Sequence, residues 1–130
     1  MIIDTSAILA IVQGEPQRAQ MEEALAAATT RVMSAATRVE LAAVLSRRLA
    51  PAVARRAERI LDRAQVEIAD FDARQAEIAS DAYRLFGRGS GHPAGLNFGD
   101  CFSYALAIAR DEPLLFVGDD FTHTDVRRWP

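Results

Sequence analysis

Short apolar runs alternate with helical segments along the chain, and this alternation limits the folds that it can adopt. Strands are predicted at residues 1–4, at "RVMSA", at "VEIADF" and from Leu114 to Val117, with a last short strand near "DVRRW". Helices are predicted from Ser6, over 16–28, 36–49, 51–64 and 73–87, and from Asp100. Strands separated by helices pair in parallel, with helices covering the sheet. We therefore predict an α/β fold, a three-layer α/β/α sandwich with a short central parallel sheet.

The length and composition of the chain favour one domain spanning residues 1–130. A chain of 130 residues can bury one sizeable core, and its 50% hydrophobic and 25% charged residues are typical of globular proteins. No apolar run approaches the roughly 18 residues of a membrane span, and the start "MIIDTS" lacks the basic region of an export signal. We expect a cytoplasmic protein without membrane contact.

The residue types exclude several kinds of chemistry. One cysteine cannot form an internal disulfide, and the two histidines, His92 and His123, lie too far apart in sequence for a zinc motif. All 15 basic residues are arginine, which excludes a lysine nucleophile, a Schiff base and a phosphate-binding lysine. The net charge of −3 is unusual for a nucleic-acid-binding protein, so any such binding needs a local basic patch.

Acidic residues occur where the predicted strands end and where a late helix begins. Asp4 ends the first strand, Asp119 and Asp120 follow the strand that begins at Leu114, and Asp100 begins an apolar helix. Ligands of open parallel sheets bind at the carboxyl ends of the strands, so Asp4 and Asp119 are predicted to share a site. Each acid also has a structural explanation, because aspartate caps helices, favours first helical turns and occurs in tight turns.

Glu40 lies in a predicted helix that is apolar on nearly every side, so we expect this helix to be buried. Ala36, Ala43 and Val44 share the face of Glu40. A glutamate in such surroundings is costly unless it is paired or coordinated. One explanation is an ion pair with Arg47 on the same face, and the other is a buried polar site.

If the four carboxylates converge, they require a cation. Two like charges about 4 Å apart repel by roughly 4 kcal/mol at a protein-like dielectric, which raised pKa values or a bound ion must offset. An all-oxygen cluster suits Mg²⁺ or Mn²⁺. A metal-activated water beside a neutralised phosphate indicates phosphodiester hydrolysis.

The chain resembles the PIN-domain ribonucleases, and among them the VapC-type toxins of toxin–antitoxin pairs. The resemblance lies in "MIIDTSAILAI", "RVELAAVL", "GHPAGLNFGDCFSYALA" and "LLFVGDDFTHTDV", in this order over essentially the whole chain. It implies a Mg²⁺-dependent (or Mn²⁺-dependent) endoribonuclease whose metal-binding carboxylates are Asp4, Glu40, Asp100 and, as the fourth acid, Asp119. Asp120 remains an alternative to Asp119, because the family's acid often stands where this chain has Gly118.

The resemblance also implies a homodimer and inhibition by a VapB-like antitoxin, which reaches the acidic pocket with a basic side chain. Amphipathic helices at 16–28 and 52–64 are candidate dimer surfaces. The local basic patch for RNA is predicted in the helix at 51–64, where Arg55, Arg59 and Arg63 share one face near Arg47, Arg48 and Arg56. The same run contains Glu58 and Asp62, so a simple solvated face is the alternative.

Other conspicuous residues have structural interpretations. Thr5 and Ser6 either orient Asp4 through hydrogen bonds or cap the following helix. His92 and His123 are expected to be structural or solvated, and Cys101 is expected to pack in the core.

Rival functions are less well supported by the residues. A haloacid-dehalogenase-type phosphatase requires a second aspartate at Ser6, and a phospho-receiver module requires a lysine that the chain lacks. The main alternative is a catalytically silent PIN-like module that binds partners in a regulatory complex.

Overall fold

Four short parallel strands form the central sheet. The computed structural model describes residues 1–130, except for the side chain of Arg48. The strands are β1 (Ile2–Ile3), β2 (Val32–Ser34), β3 (Glu67–Ala69) and β4 (Leu114–Leu115), in the spatial order β3-β2-β1-β4. Ile2 pairs with Val32 on one side and with Leu114 on the other, and every pairing is parallel. The predicted short parallel sheet is therefore confirmed.

Six helices connect the strands, close to the predicted positions. They are α1 (Thr5–Gln13), α2 (Arg18–Ala27), α3 (Ala35–Arg48), α4 (Pro51–Arg63), α5 (Ala73–Phe86) and α6 (Asp100–Arg110). Local sequence explains their ends: Pro51 begins α4, Asp72 caps α5 through the N–H of Gln75, and Gly14 ends α1 at a φ of 71° that favours glycine.

Two hydrophobic cores lie on opposite faces of the sheet. Ile3, Met33 and Leu115 point to a core formed with α1 to α4, whereas Ile2 and Leu114 point to a core formed with α5 and α6. This division follows from the alternation of side chains along each strand. It confirms the predicted α/β/α layers.

The connections create a crevice beside the carboxyl end of β1. The chain steps from β1 to β2 and β3 in one direction, and β4 then joins the other side of β1. Ligands of such sheets bind where the strand order reverses, here between β1 and β4. The backbone N–H of Val117, just after β4, donates to Ser6 Oγ at 3.1 Å, which ties the two strand ends together.

The predicted burial of α3 and the predicted last strand both differ from the structure. Helix α3 is not buried all round: Thr37, Leu41 and Leu45 face the core one turn apart, whereas the Val39 residue is 70% exposed. Only one face of α3 contacts the protein, and small apolar side chains are tolerated in water on the other.

The last strand near "DVRRW" is reduced to a single bridge between Leu114 and Arg128. Strand β4 itself is shorter than predicted, two residues instead of four, so it offers the C-terminal segment little edge to pair with. No helix in the described part of the chain is both long and apolar enough to cross a membrane.

Candidate active site

Asp4 is held by three hydrogen bonds at the carboxyl end of β1. It is the N-cap of α1, where its Oδ2 accepts from the backbone N–H of Ser6 at 2.9 Å and from Ser6 Oγ at 2.6 Å. Its Oδ1 accepts from Ser103 Oγ of α6 at 2.7 Å, and the Asp4 residue is only 3% exposed. Of the two interpretations of Ser6, orientation of Asp4 is correct and helix capping is wrong, because Asp4 itself caps the helix.

The Glu40 carboxylate is held by Thr5 of the neighbouring helix. Thr5 Oγ1 donates to Glu40 Oε2 at 2.6 Å, so Thr5 orients Glu40 rather than Asp4. Both Glu40 and Arg47 are described by the structure, and no ion pair joins them. The half-buried Glu40 thus belongs to a polar site, and the ion-pair explanation is wrong.

Asp100 is fixed at the start of α6 by a reciprocal pair of hydrogen bonds. The backbone N–H of Asn97 donates to Asp100 Oδ2 at 2.7 Å, and the backbone N–H of Asp100 donates to Asn97 Oδ1 at 3.0 Å. One turn further along α6, Ser103 donates to Asp4 and accepts from Thr37 of α3 at 3.1 Å. Ser103 therefore links α6 both to α3 and to Asp4 at the start of α1.

Gly99 lets the Glu40 carboxylate approach the backbone of α6. A Cβ atom at position 99 would lie 2.1 Å from Glu40 Oε1 and 2.3 Å from its Cδ, distances that no real contact tolerates. Only glycine therefore permits this arrangement of Glu40 beside Asp100.

The carboxylates are close enough to affect one another's ionisation. Burial raises the pKa of Glu40, the hydrogen bond from Thr5 opposes this shift, and the charge of Asp4 adds to it. Burial also raises the pKa of Asp100 to about 7, against the Asn97 hydrogen bond, with further increases from Asp4, Asp120 and Glu40. The structure therefore brings Asp4, Glu40 and Asp100 together.

Of the two candidates for the fourth acid, Asp120 has more support than Asp119. Asp120 is the residue of this pair whose charge raises the pKa of Asp100. The backbone carbonyl of Asp119 accepts from the N–H and the hydroxyl of Thr122, so Asp119 forms a turn. Gly118 precedes both acids and has a φ of 101°, a left-handed conformation that favours glycine.

The donor atoms of this cluster fit a hard divalent cation. All are carboxylate oxygens, which Mg²⁺ and Mn²⁺ prefer, and the pKa values of Glu40 and Asp100 are raised mainly by burial and further by the neighbouring carboxylates. Among the described side chains, no group of three or more His, Cys, Asp or Glu is already arranged as a metal-binding set. An ion that keeps several of its waters, as Mg²⁺ does, needs few direct protein ligands and so suits this open arrangement.

The raised pKa of Asp100 predicts a pH-dependent cost to the metal-free fold. The Asp100→Asn variant should gain stability over the unchanged protein as the pH rises. The difference between their free energies of unfolding should increase by about 1–3 kcal/mol from pH 5 to pH 8. The pKa is about 7 in the folded protein against an ordinary value of 3.8, so the contribution of Asp100 is present below about pH 4 and lost as the pH rises through 7. Asparagine has no proton to lose there. Urea unfolding in EDTA at both pH values measures the difference.

Asp62→Asn is the matched control, since Asp62 is exposed on α4. It should leave the pH dependence of unfolding unchanged. Parallel pH profiles for Asp100→Asn and the unchanged protein would contradict the assignment of the shift to Asp100.

The residues that hold the carboxylates were missed at the level of sequence. Asn97, Gly99 and Ser103 surround Asp100 in "LNFGDCFS", and their roles depend on contacts with other segments. One signal was readable: Asn97 stands three residues before Asp100, the spacing of a reciprocal helix cap.

Other predicted residues lie away from the site. His92 stacks edge-on against Phe86 and accepts from the backbone N–H of Ala94, while His123 is exposed. Cys101 is 2% exposed and packs in the core, as predicted.

The arginine-rich helix α4 contributes to a groove against α2. Arg56, Arg59 and Arg63 line it together with Arg18, which pairs with Glu22 at 2.9 Å. The side chain of Arg48 lies outside the described part of the structure. Four cations beside one acid can attract a polyanion, and the groove contains Arg59 and Arg63 of the predicted basic face but not Arg55.

Sequence comparison shows the family to which known proteins similar to this chain belong. Residues 1–127 match the family described as PIN domain. Ribonuclease VapC42 of Mycobacterium tuberculosis is 54% identical over 127 residues, covering 98% of this chain and 97% of the relative. Ribonuclease VapC28 of the same organism is 51% identical over 128 residues, covering 98% and 96%.

Solved structures share the fold at low sequence identity. The crystal structure of Mycobacterium tuberculosis VapC20, described as a sarcin-ricin loop cleaving toxin, superposes with a TM-score of 0.75 at 18% identity and covers 98% of this chain and 97% of that one. A chain of a toxin–antitoxin complex from Klebsiella pneumoniae gives a TM-score of 0.67 at 16% identity, covering 95% and 92%.

Proposed function

The chain belongs to the PIN-domain family of VapC ribonucleases, and from that premise we propose that it is a Mg²⁺- or Mn²⁺-dependent endoribonuclease, the toxin of a toxin–antitoxin pair. The observation that supports this proposal is the approach of Asp4, Glu40 and Asp100 to one another at the reversal of strand order, with Asp120 acting on the same group. Buried carboxylates that raise one another's pKa are typical of a functional site.

Asp4, Glu40 and Asp100 would hold the cation, and Asp120 would complete the acidic group in place of Asp119. When bound, a divalent cation lowers the pKa of a coordinated water and neutralises charge on a phosphate. The acidic crevice repels phosphate by itself, so RNA binding there depends on the cation.

The surrounding residues have a positioning role in this proposal. Ser6 and Ser103 hold both oxygens of Asp4, Thr5 holds one oxygen of Glu40, and the Asn97 N–H holds one oxygen of Asp100. Each carboxylate therefore keeps its place before a ligand arrives, which reduces the reorganisation that binding requires.

A cleavage assay on the purified protein, separated from any antitoxin, tests the function. We expect it to cut total RNA with Mg²⁺ or Mn²⁺, to lose all cleavage in EDTA, and to regain it when excess metal is returned. Sequencing of the new RNA ends then identifies the target and the cleavage site. Circular dichroism of the protein in EDTA, compared with the spectrum in Mg²⁺, controls for unfolding.

The alternative is a silent binding module. Absence of cleavage under every metal, with the protein folded and free of antitoxin, favours that alternative and contradicts the proposal. Growth arrest on controlled expression, without new RNA ends, points in the same direction.

We also propose a VapB-like antitoxin as partner, a homodimer and a cytoplasmic location. Support for the antitoxin comes from the family and from the acidic crevice, where an arginine of a partner would pair with carboxylates that otherwise hold the metal. Measuring the molecular mass of the protein alone in solution tests the homodimer. The same measurement with the product of an adjacent short gene tests the antitoxin complex.

A further inference from the structure

An apolar groove lies between α5 and the start of α6, lined by residues that flank Asp100 in sequence. It has a volume of about 640 Å³, and its lining includes Phe71, Ala79, Tyr83, Phe98 and Phe102. Its other lining residues are Ala76, Ser80 and Cys101, so none of the described side chains around it is charged. The groove can therefore hold a flat uncharged group but offers nothing to a phosphate.

Phe98 is the most exposed ring of this groove and is firmly supported. The residue is 70% exposed, yet its ring meets Phe102 edge-on with centroids 4.9 Å apart. Phe102 in turn meets Phe71 edge-on at 5.2 Å. This chain of edge-to-face contacts restrains the Phe98 ring from behind while leaving it accessible to solvent.

Residues 97–101 contribute both to the groove and to the proposed catalytic crevice. The Asn97 N–H binds the Asp100 carboxylate, and Gly99 lies against the Glu40 carboxylate. Phe98 stands between these two positions in the chain. Phe98 is two residues from Asp100, so a nucleoside attached to a phosphodiester bond at Asp100 has an aromatic ring nearby in the chain.

We propose that Phe98 is a stacking platform for an unpaired nucleobase next to the scissile phosphate. Proteins that bind single-stranded RNA stack exposed bases on aromatic side chains, which recognise the flat face that all bases share. The acidic crevice would take the cation and the phosphate, and the uncharged groove would take the base. These two sites match the charged and the uncharged part of a nucleotide. Cleavage is therefore directed to bases that are already out of a helix, as in loops and single strands.

This inference rests on the proposed function, and the test separates the two by measuring binding without cleavage. The Asp100→Asn protein is titrated, in Mg²⁺ buffer, with single-stranded RNA of about 12 nucleotides and with an abasic ribose–phosphate chain of the same length. Adding Phe98→Ala should weaken binding of the base-bearing RNA by about tenfold to hundredfold, and leave binding of the abasic chain nearly unchanged.

Two further variants sharpen the result. Phe98→Trp should restore the affinity, and the fluorescence of the introduced indole should be quenched by the base-bearing RNA alone. Leu85→Ala is the matched control, since Leu85 is a 49% exposed apolar residue of α5 outside the groove, and it should bind both chains normally.

Equal affinity losses on the two chains, or no loss on either, overturn the inference while leaving cleavage by the unchanged protein as a separate result. Dissociation of a dimer by Phe98→Ala also overturns it, since a second copy then covers the groove. Base-dependent binding that disappears with Phe98, in a protein that never cleaves RNA, supports the platform and contradicts the nuclease.

Discussion

An Asp4→Asn, Asp100→Asn double variant is expected to lose at least about 10³-fold of RNA cleavage while keeping its fold. It removes two of the charges that would hold the cation, so a higher Mg²⁺ concentration should not restore the rate. Asparagine preserves the shape at both positions: its carbonyl oxygen can still accept from the N–H groups of Ser6 and Asn97. Single-turnover cleavage of the mapped RNA measures the loss, and thermal unfolding verifies the fold.

The matched control makes the same change of charge elsewhere. An Asp62→Asn, Asp81→Asn variant alters two exposed carboxylates, one on α4 and one on α5, and should cleave at the normal rate. Unchanged cleavage by the Asp4, Asp100 variant contradicts the metal mechanism. A loss of similar size in both variants indicates a general effect of charge on RNA binding.

The sequence predicted those parts of the site that follow from local rules. Asp4 follows a short apolar run and Asp100 begins a helix, and both positions depend mainly on secondary structure that the residue pattern determines. The parallel sheet then brings strand ends to one edge, and the charge of Asp120 after β4 acts on Asp100. The family resemblance added the order of the motifs and the reaction.

The remaining parts depend on contacts between distant segments. Whether Asp119 or Asp120 faces Asp100 depends on the turn at Gly118, which two adjacent aspartates cannot reveal from sequence. The burial of α3 was overestimated because apolar periodicity does not say which faces meet a neighbour, and Val39 meets none of the core. Adjacency to Asp4 suggests that Thr5 orients Asp4 or caps the helix, whereas its hydroxyl reaches Glu40 on another helix.

Gly99→Ala is expected to lower cleavage by about 10²-fold with little change in stability. The backbone at Gly99 has φ −67° and ψ −40°, a helical conformation that alanine adopts readily, so the backbone tolerates the change. The new methyl group would instead meet the Glu40 carboxylate at 2.1 Å, and the flexible Glu40 side chain must move away from Thr5. Cleavage rate and melting temperature, measured on the same preparation, separate the two effects.

A double-mutant cycle tests whether displacement of Glu40 is the cause. Glu40→Ala should reduce cleavage at least as much as Gly99→Ala, and adding Gly99→Ala to it should cause no further loss, because the side chain that the methyl group displaces is already gone. Losses that multiply in the double variant contradict this explanation and indicate that Gly99 acts directly on Asp100 or on the RNA. Coupled losses with an unchanged melting temperature instead identify Gly99 as the residue that allows Glu40 to join Asp4 and Asp100.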